Sequence, residues 1–198
     1  RPLTERWPKP VLPIDGRAVI ATLLRGLAAA GVEHAFVVTG HLAEQVEQLV
    51  GDGSGFGLHV TYARQPGVLG SADAVQRGLA AGAEPPFLVA GADTVFAAGA
   101  LAGFAAAAAG CAGALAYPEG APARLTTIAG GPTAAPLWAF GRELLPYLDG
   151  LDGPPYELAQ AYERAAAEGV ELRGLDVGKT RDLTHPADLV RENFPYLA

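Results

Sequence analysis

The side chains with chemical potential are spread thinly along the 198 residues: Lys9, then Gln65 with Gly70 and Ser71, then Asp93, Glu157 and Asp182. Lys9 lies in the run Pro2-Leu3-Thr4-Glu5-Arg6-Trp7-Pro8-Lys9-Pro10. Proline lacks an N–H and pushes the residue before it towards extended geometry, which predicts a stiff surface loop rather than helix interior. The apolar residues Val11-Leu12-Pro13-Ile14 offer that loop an anchor in a core. A lysine ordered in advance loses less freedom on meeting an anion, which suits a phosphate; the plain alternative is a solvated loop lysine. Gln65 carries a donor and an acceptor on one planar group, and Gly70 allows backbone to approach a flat ligand closely. Taken alone, these two also read as a surface-loop residue and a turn. Asp93 closes the segment Phe87-Leu88-Val89-Ala90-Gly91-Ala92-Asp93 and so stands at a strand end, as a cation ligand or as an Asx-turn before Thr94.

Several familiar sites are excluded. Gly178-Lys179-Thr180 ends like a phosphate-binding loop, but the glycine required five positions before Gly178 is Arg173. The glycines at 51, 53, 55 and 57 never fall into the G-x-G-x-x-G spacing of a dinucleotide fold. No G-x-S-x-G nucleophile elbow occurs. His34, His41, His59 and His185 share no metal-ligand spacing with Cys111, which argues against zinc. A net charge of −7 argues against nucleic acid as a principal partner. The longest apolar stretch, Leu101 to Ala116, is mostly alanine and glycine and too weakly hydrophobic for a membrane span. A lone cysteine forms no internal disulfide and fits a reducing compartment, hence a cytoplasmic location. Half the residues are hydrophobic and 18% are charged, as in a globular chain.

The elements that must position these residues alternate. Apolar positions Ile20, Leu23, Leu24 and Leu27 predict a helix over 17–30, closed by Gly31. A buried strand is expected at Ala35 to Val38, a helix from Leu42 to Val50, and a strand from Leu58 to Tyr62. Ser71 and Asp73 give an N-cap and an acidic first turn for a helix to Ala81. Strands follow at Pro86 to Ala90, Ala112 to Tyr117, Leu125 to Ala129, Leu137 to Phe140 and Val170 to Val177. Helices are expected at about Ala97 to Ala109, a short one to Leu148, Tyr156 to Glu168, and Pro186 through Phe194. Such alternation predicts an α/β chain with an open, mostly parallel sheet and helices on both faces. Ligands of such sheets lie outside the carboxyl ends of the strands, which is where Asp93 stands.

Four of these segments occur in the order used by the sugar-phosphate nucleotidyltransferases, and the chain resembles that family. The run from Pro2 to Ile14 is similar to the second half of the family signature, whose lysine, here Lys9, contacts the nucleotide phosphates. Gln65 with Leu69-Gly70-Ser71-Ala72-Asp73-Ala74 resembles Q-x-x-x-L-G-T-A-x-A, in which the glutamine amide and glycine backbone read the nucleobase edge; Ser71 stands at the threonine. The segment Phe87 to Asp93 is similar to the strand-terminal G-D whose aspartate holds magnesium, although Ala92 stands where glycine is usual. Val177 to Leu189 resembles the closing motif and makes Asp182 the second metal carboxylate, with Asp188 an ordinary first-turn acid. Tyr156-Glu157-Leu158 is a weaker match to a segment near the sugar pocket. Glu157 there accepts bonds from sugar hydroxyls, or serves as a helix-start glutamate. Gly51-Asp52-Gly53-Ser54-Gly55-Phe56-Gly57 resembles a family helix-to-strand connection.

The resemblance implies transfer of a nucleoside monophosphate from an NTP to a sugar 1-phosphate, with Mg²⁺ as cofactor and release of pyrophosphate. It implies a nucleotide-diphospho-sugar transferase fold of Rossmann-like type. The family's E-K-P segment is not found, which leaves a non-sugar phosphate such as an alcohol or choline phosphate open as acceptor. A non-catalytic nucleotide-binding regulatory module is the other alternative. The sequence begins at Arg1 without methionine and lacks the glycine-rich first half of the signature, so residues 1–198 read as one domain incomplete at its N-terminus. Nucleic acid and membrane are not expected partners, and a homo-oligomer is left open.

Overall fold

The computed structural model describes residues 5–122, 134–183 and 186–193. Two short strands, β1 (Pro13–Ile14) and β2 (Arg17–Ala18), form an antiparallel hairpin at the start. Its two-residue turn is Asp15-Gly16, with φ of 51° and 73°. Both positive values belong to the mirror-image turn that matches strand twist, for which Asp-Gly is a favoured pair. The hairpin takes Arg17 and Ala18 out of the expected helix, so helix α1 spans Val19–Ala29. Ile20, Leu23 and Leu24 face inward at helical spacing, and the Val32 N–H closes the helix end on the Leu27 carbonyl at 3.0 Å.

Strand β3 (His34–Thr39) pairs in parallel with β4 (His59–Arg64), His34 opposite His59 and Thr39 opposite Arg64. Helix α2 (Ala43–Val50) and a glycine-rich 3-10 turn at Ser54–Phe56 connect them. Helix α3 (Ser71–Ala80) leads to β5 (Phe87–Ala90), the two-residue β6 (Thr94–Val95), helix α4 (Ala100–Ala108) and β7 (Gly113–Tyr117). Then come β8 (Leu137–Phe140), a 3-10 stretch Arg142–Leu148, α5 (Leu158–Ala167), β9 (Leu172–Asp176), β10 (Arg181–Asp182) and α6 (Pro186–Asn193). The expected strand at Leu125 to Ala129 and the helix end at Phe194 lie outside the described residues.

The larger sheet has the order β5-β8-β7-β9. β7 is parallel to β9, whereas β8 runs antiparallel between β5 and β7, a reversal that the alternation of elements does not reveal. Every residue of β7 is buried, and its side chains alternate between two cores as a pleat requires. Leu115 and Tyr117 join Phe140 and Leu172 under α3 and α5. Ala114 and Ala116 join Leu137 and Ala139 under α4 and Leu23 of α1. The chain is thus an open α/β sheet with helices on both faces.

Between β3 and β5 the sheet is interrupted. Among the described residues neither strand has a partner on the side facing the other. A cavity of about 1160 Å³ lies there, lined by Phe36 and Val38 of β3, Leu88 of β5, Leu24 of α1, Val75 of α3 and Ala108 of α4. No helix among the described residues is long and apolar enough to cross a membrane.

Candidate functional site

A small core assembles one half of the site. Leu12, Ile14 and Val19 from the start of the chain pack with Val95, Leu183 and Leu189. Residues more than a hundred positions apart are therefore fastened beneath one patch. Lys9 opens a 3-10 turn, Lys9–Val11, with Pro10 inside it. Proline is tolerated in a first helical turn because its missing N–H has no partner there anyway. The Val11 N–H bonds the Pro8 carbonyl at 3.1 Å and the Leu12 N–H bonds that of Lys9 at 3.0 Å, so the expected stiff loop is a short helical turn.

From that turn the Lys9 ammonium reaches Asp93, Nζ to Oδ2 at 3.3 Å, with each side chain about one-third exposed (34% and 35%). Asp93 sits in the turn between β5 and β6, and β6 is held against β10, with Thr94 opposite Asp182. One packing cluster and one two-residue ladder thus bring Lys9 to Asp93 and set Asp182 opposite Thr94, the residue that follows Asp93. Ala92 is partly buried and packs against the cores beneath α1 and α4, so its methyl group is part of the packing. Asp93 and Asp182 form no cluster with a third His, Cys, Asp or Glu among the described residues.

Beside Asp182, Arg181 ties both ends of the chain together. Its guanidinium donates to Asp15 at 2.5 and 3.1 Å, to Glu192 Oε2 at 2.8 Å, and to the Glu192 carbonyl. Asn193 adds bonds to the Asp15 N–H and the Pro13 carbonyl. The hydrogen bond from Arg181 holds the Asp15 carboxyl below the usual aspartate range, and Asp15 with Glu192 raises Arg181 further. No local pattern signals this clamp, because its partners are 166 and 11 residues away from Arg181.

The other half of the site is a joint between two loops. The Gln65 N–H continues the ladder end at the Thr39 carbonyl (2.8 Å), and its side chain bonds Gly70 and Asp73. Gly70 has φ 94° and ψ 173°, a conformation essentially reserved for glycine, and a Cβ there would lie 2.2 Å from the Tyr156 carbonyl oxygen. Its glycine is required by this backbone contact, whatever ligand lies beyond. The Tyr156 N–H bonds Leu69 at 2.7 Å and the Ala72 N–H bonds Tyr156 at 2.9 Å.

Ser71 and Glu157 cap each other's helices across this joint. The Ser71 hydroxyl donates to Glu157 Oε2 at 2.5 Å and accepts from the Leu158 N–H at 2.8 Å, while the Ser71 N–H points to the same oxygen at 3.4 Å. One orphan N–H at the start of α5 and one at the start of α3 are satisfied in this way. Asp73, which accepts from Gln65, and Arg77, which bonds Asp73, carry the i, i+4 spacing of a helical ion pair, a signal legible in the sequence.

A family model for the MobA-like NTP transferase domain matches residues 3–168. The chain belongs to that family. It is 34% identical over 96 residues to N-acetylmuramate alpha-1-phosphate uridylyltransferase of Neisseria meningitidis, covering 48% of this chain and 42% of the relative. It is 41% identical over 71 residues to mannose-1-phosphate guanylyltransferase of Mycobacterium tuberculosis, covering 36% and 20%. The chain thus spans less than half the length of either relative. A crystal structure of UDP-glucose pyrophosphorylase complexed with UDP-glucose superposes with a TM-score of 0.81 at 16% identity, over 99% of this chain and 92% of that one. The NTP transferase domain therefore has the nucleotide-diphospho-sugar transferase fold.

Proposed function

We propose that the full-length protein transfers a nucleoside monophosphate from an NTP to a sugar 1-phosphate, releasing pyrophosphate and giving an NDP-sugar. The observation that carries this reading is the Lys9–Asp93 ion pair across 84 residues, with Asp182 on the adjoining ladder. An ammonium paired with one carboxylate, with a second aspartate on the neighbouring strand, offers groups that suit a triphosphate and a cation. Membership of the NTP transferase family and relatives that act on sugar 1-phosphates support the same class of substrates.

The donor set fits Mg²⁺, which takes one or two carboxylates together with phosphate oxygens and waters. Asp93 and Asp182 would hold it, and when bound it supplies Lewis-acid stabilisation of phosphoryl charge. Lys9 leaves its ion pair to bind the NTP phosphates and offsets the repulsion between donor and acceptor. The acceptor phosphate is already an anion at neutral pH, so its attack on the α-phosphorus requires no general base. Lys9 then stabilises charge on the departing pyrophosphate.

The loop from Gln65 to Ser71 takes the nucleobase, through the Gln65 amide and the Gly70 backbone. Glu157 has its Oε2 engaged by Ser71, and its Oε1 accepts from a sugar hydroxyl. The relatives differ in both base and sugar, so the substrates are found by direct assay. Full-length protein is incubated with Mg²⁺, each of five NTPs and a panel of sugar 1-phosphates, and products are identified by mass spectrometry. An NDP-sugar with stoichiometric pyrophosphate is the expected result. Absence of any nucleotidyl product across the panel contradicts the proposal.

A further inference from the structure

Gln65 is held by two groups that can only accept. Its Nε2 donates to the Gly70 carbonyl at 2.9 Å and to Asp73 Oδ2 at 2.8 Å. A carbonyl and an ionised carboxylate have no proton to give, so the amide nitrogen must face them, and the reversed amide is excluded by its own partners. Arg77 fixes the carboxylate in turn. Its Nε donates to Asp73 Oδ2 at 2.6 Å and its Nη2 to Oδ1 at 3.1 Å, while Nη1 reaches the Arg64 carbonyl at 3.1 Å. The hydrogen bonds from Arg77 hold the Asp73 carboxyl below the ordinary aspartate range, which keeps it ionised. Both amide protons of Gln65 are therefore engaged inside the protein. Left over are Gln65 Oε1 and the Gly70 N–H, neither of which bonds another described residue.

We propose that Asp73 and Arg77 are positioning residues that make Gln65 an acceptor-only reader, so that the site selects a nucleobase whose ring carries an N–H. This rests on the assignment of the loop from Gln65 to Ser71 to the nucleobase. Uracil and thymine carry a ring N–H flanked by a carbonyl on each side. They satisfy Oε1 and leave an acceptor for the Gly70 N–H whichever side it lies on. Guanine offers the same N–H with a carbonyl on one side. Cytosine and adenine have a bare ring nitrogen at that position, which sets lone pair against lone pair at Oε1. They can offer an exocyclic amine only by sliding along the edge, away from the pose set by the ribose and the phosphates at Lys9. The best of UTP, dTTP and GTP is therefore bound about tenfold or more tightly than CTP or ATP, the scale of one well-read base edge.

The test is calorimetric binding of UTP, dTTP, GTP, CTP and ATP, without acceptor, to the full-length protein and to its Asp73→Asn variant. In Asp73→Asn a single oxygen replaces the two that accept from Arg77 and Gln65, so one of these bonds is lost whichever way the new amide turns. The hold on the Gln65 amide loosens, and the preference shrinks towards equality. A purely structural role for Asp73, as the first-turn acid of α3, weakens all five nucleotides alike and leaves their ratio unchanged. If Asp73→Asn does not fold, Gln65→Ala decides the same point, and equal binding of the five nucleotides is expected. The proposal is overturned by wild-type protein that binds CTP or ATP as tightly as the other three. An unchanged ratio in folded Asp73→Asn, or a retained ratio in Gln65→Ala, overturns it as well. Binding of none of the five overturns the nucleotide reading itself, and this proposal with it.

Discussion

Lys9, Asp93 and Asp182 carry the argument at the scale of single residues. Asp93→Asn and Asp182→Asn each keep the side-chain shape and remove the charge that a magnesium ion requires. Each is expected to lower turnover in the full-length protein by at least about a hundredfold, the scale of losing one electrostatic element of a transition state. Circular dichroism and the melting temperature should stay near wild type, and normal turnover in either variant removes that residue from the cation site. Lys9→Arg is expected to restore only part of the rate lost in Lys9→Ala, because a planar fork does not take the place of a compact ammonium. Lys9 was legible as a candidate through the family resemblance, since its proline frame alone fits a solvated loop lysine as well. Its pairing with Asp93 was not, since nothing in either segment encodes the core of Leu12, Ile14, Val95 and Leu183 that brings them together.

At the scale of elements, two joints hold the site and each makes a prediction. Gly70→Ala forces a side chain into the Gly-only region and into the Tyr156 carbonyl, so it should cost more than about 2 kcal/mol in urea unfolding. A cost within about 0.5 kcal/mol means that the two loops part freely. The second joint is the Arg181 clamp. The Asp15 carboxyl is held below its ordinary value by Arg181, so the folded state binds that proton less readily than the unfolded chain. Its contribution is present above the ordinary aspartate value, near pH ~3.9, and is lost as pH falls through the lower, folded value. The fall in urea midpoint between about pH 5 and pH 3 should therefore be shallower in Arg181→Ala than in wild type; an equal fall contradicts the clamp. Most helices and strands were legible from periodicity and glycine stops. The turn at Asp15-Gly16 was legible too, but the short strands on either side of it and the β10–β6 ladder were not, because two-residue strands carry no period to read.

For the whole molecule, the alternation of strands and helices foretold an open α/β sheet with two covered faces, and the two cores on either side of β7 have that arrangement. Alternation does not encode strand direction, so the antiparallel β8 was hidden. The gap between β3 and β5 has a physical cost. Two strand edges face an apolar cavity of about 1160 Å³ with no backbone partner among the described residues. Residues 1–198 by themselves are therefore expected to unfold over a broad range of urea and to bind a hydrophobic dye before unfolding. A sharp transition at high temperature without dye binding shows that the sheet closes over that gap.

The claim on which the rest depends is that Lys9 acts on phosphates during nucleotidyl transfer. Steady-state pyrophosphate release by full-length wild type and Lys9→Ala, with the NTP and acceptor found in the product screen, tests it most directly. Because the ammonium meets charge that is redistributed as the α-phosphorus is attacked, kcat should fall by on the order of a hundredfold or more, with a smaller change in KM. A lysine that is only a solvated member of a proline-framed turn leaves kcat unchanged and shifts stability by under about 0.5 kcal/mol. An unchanged kcat contradicts the account.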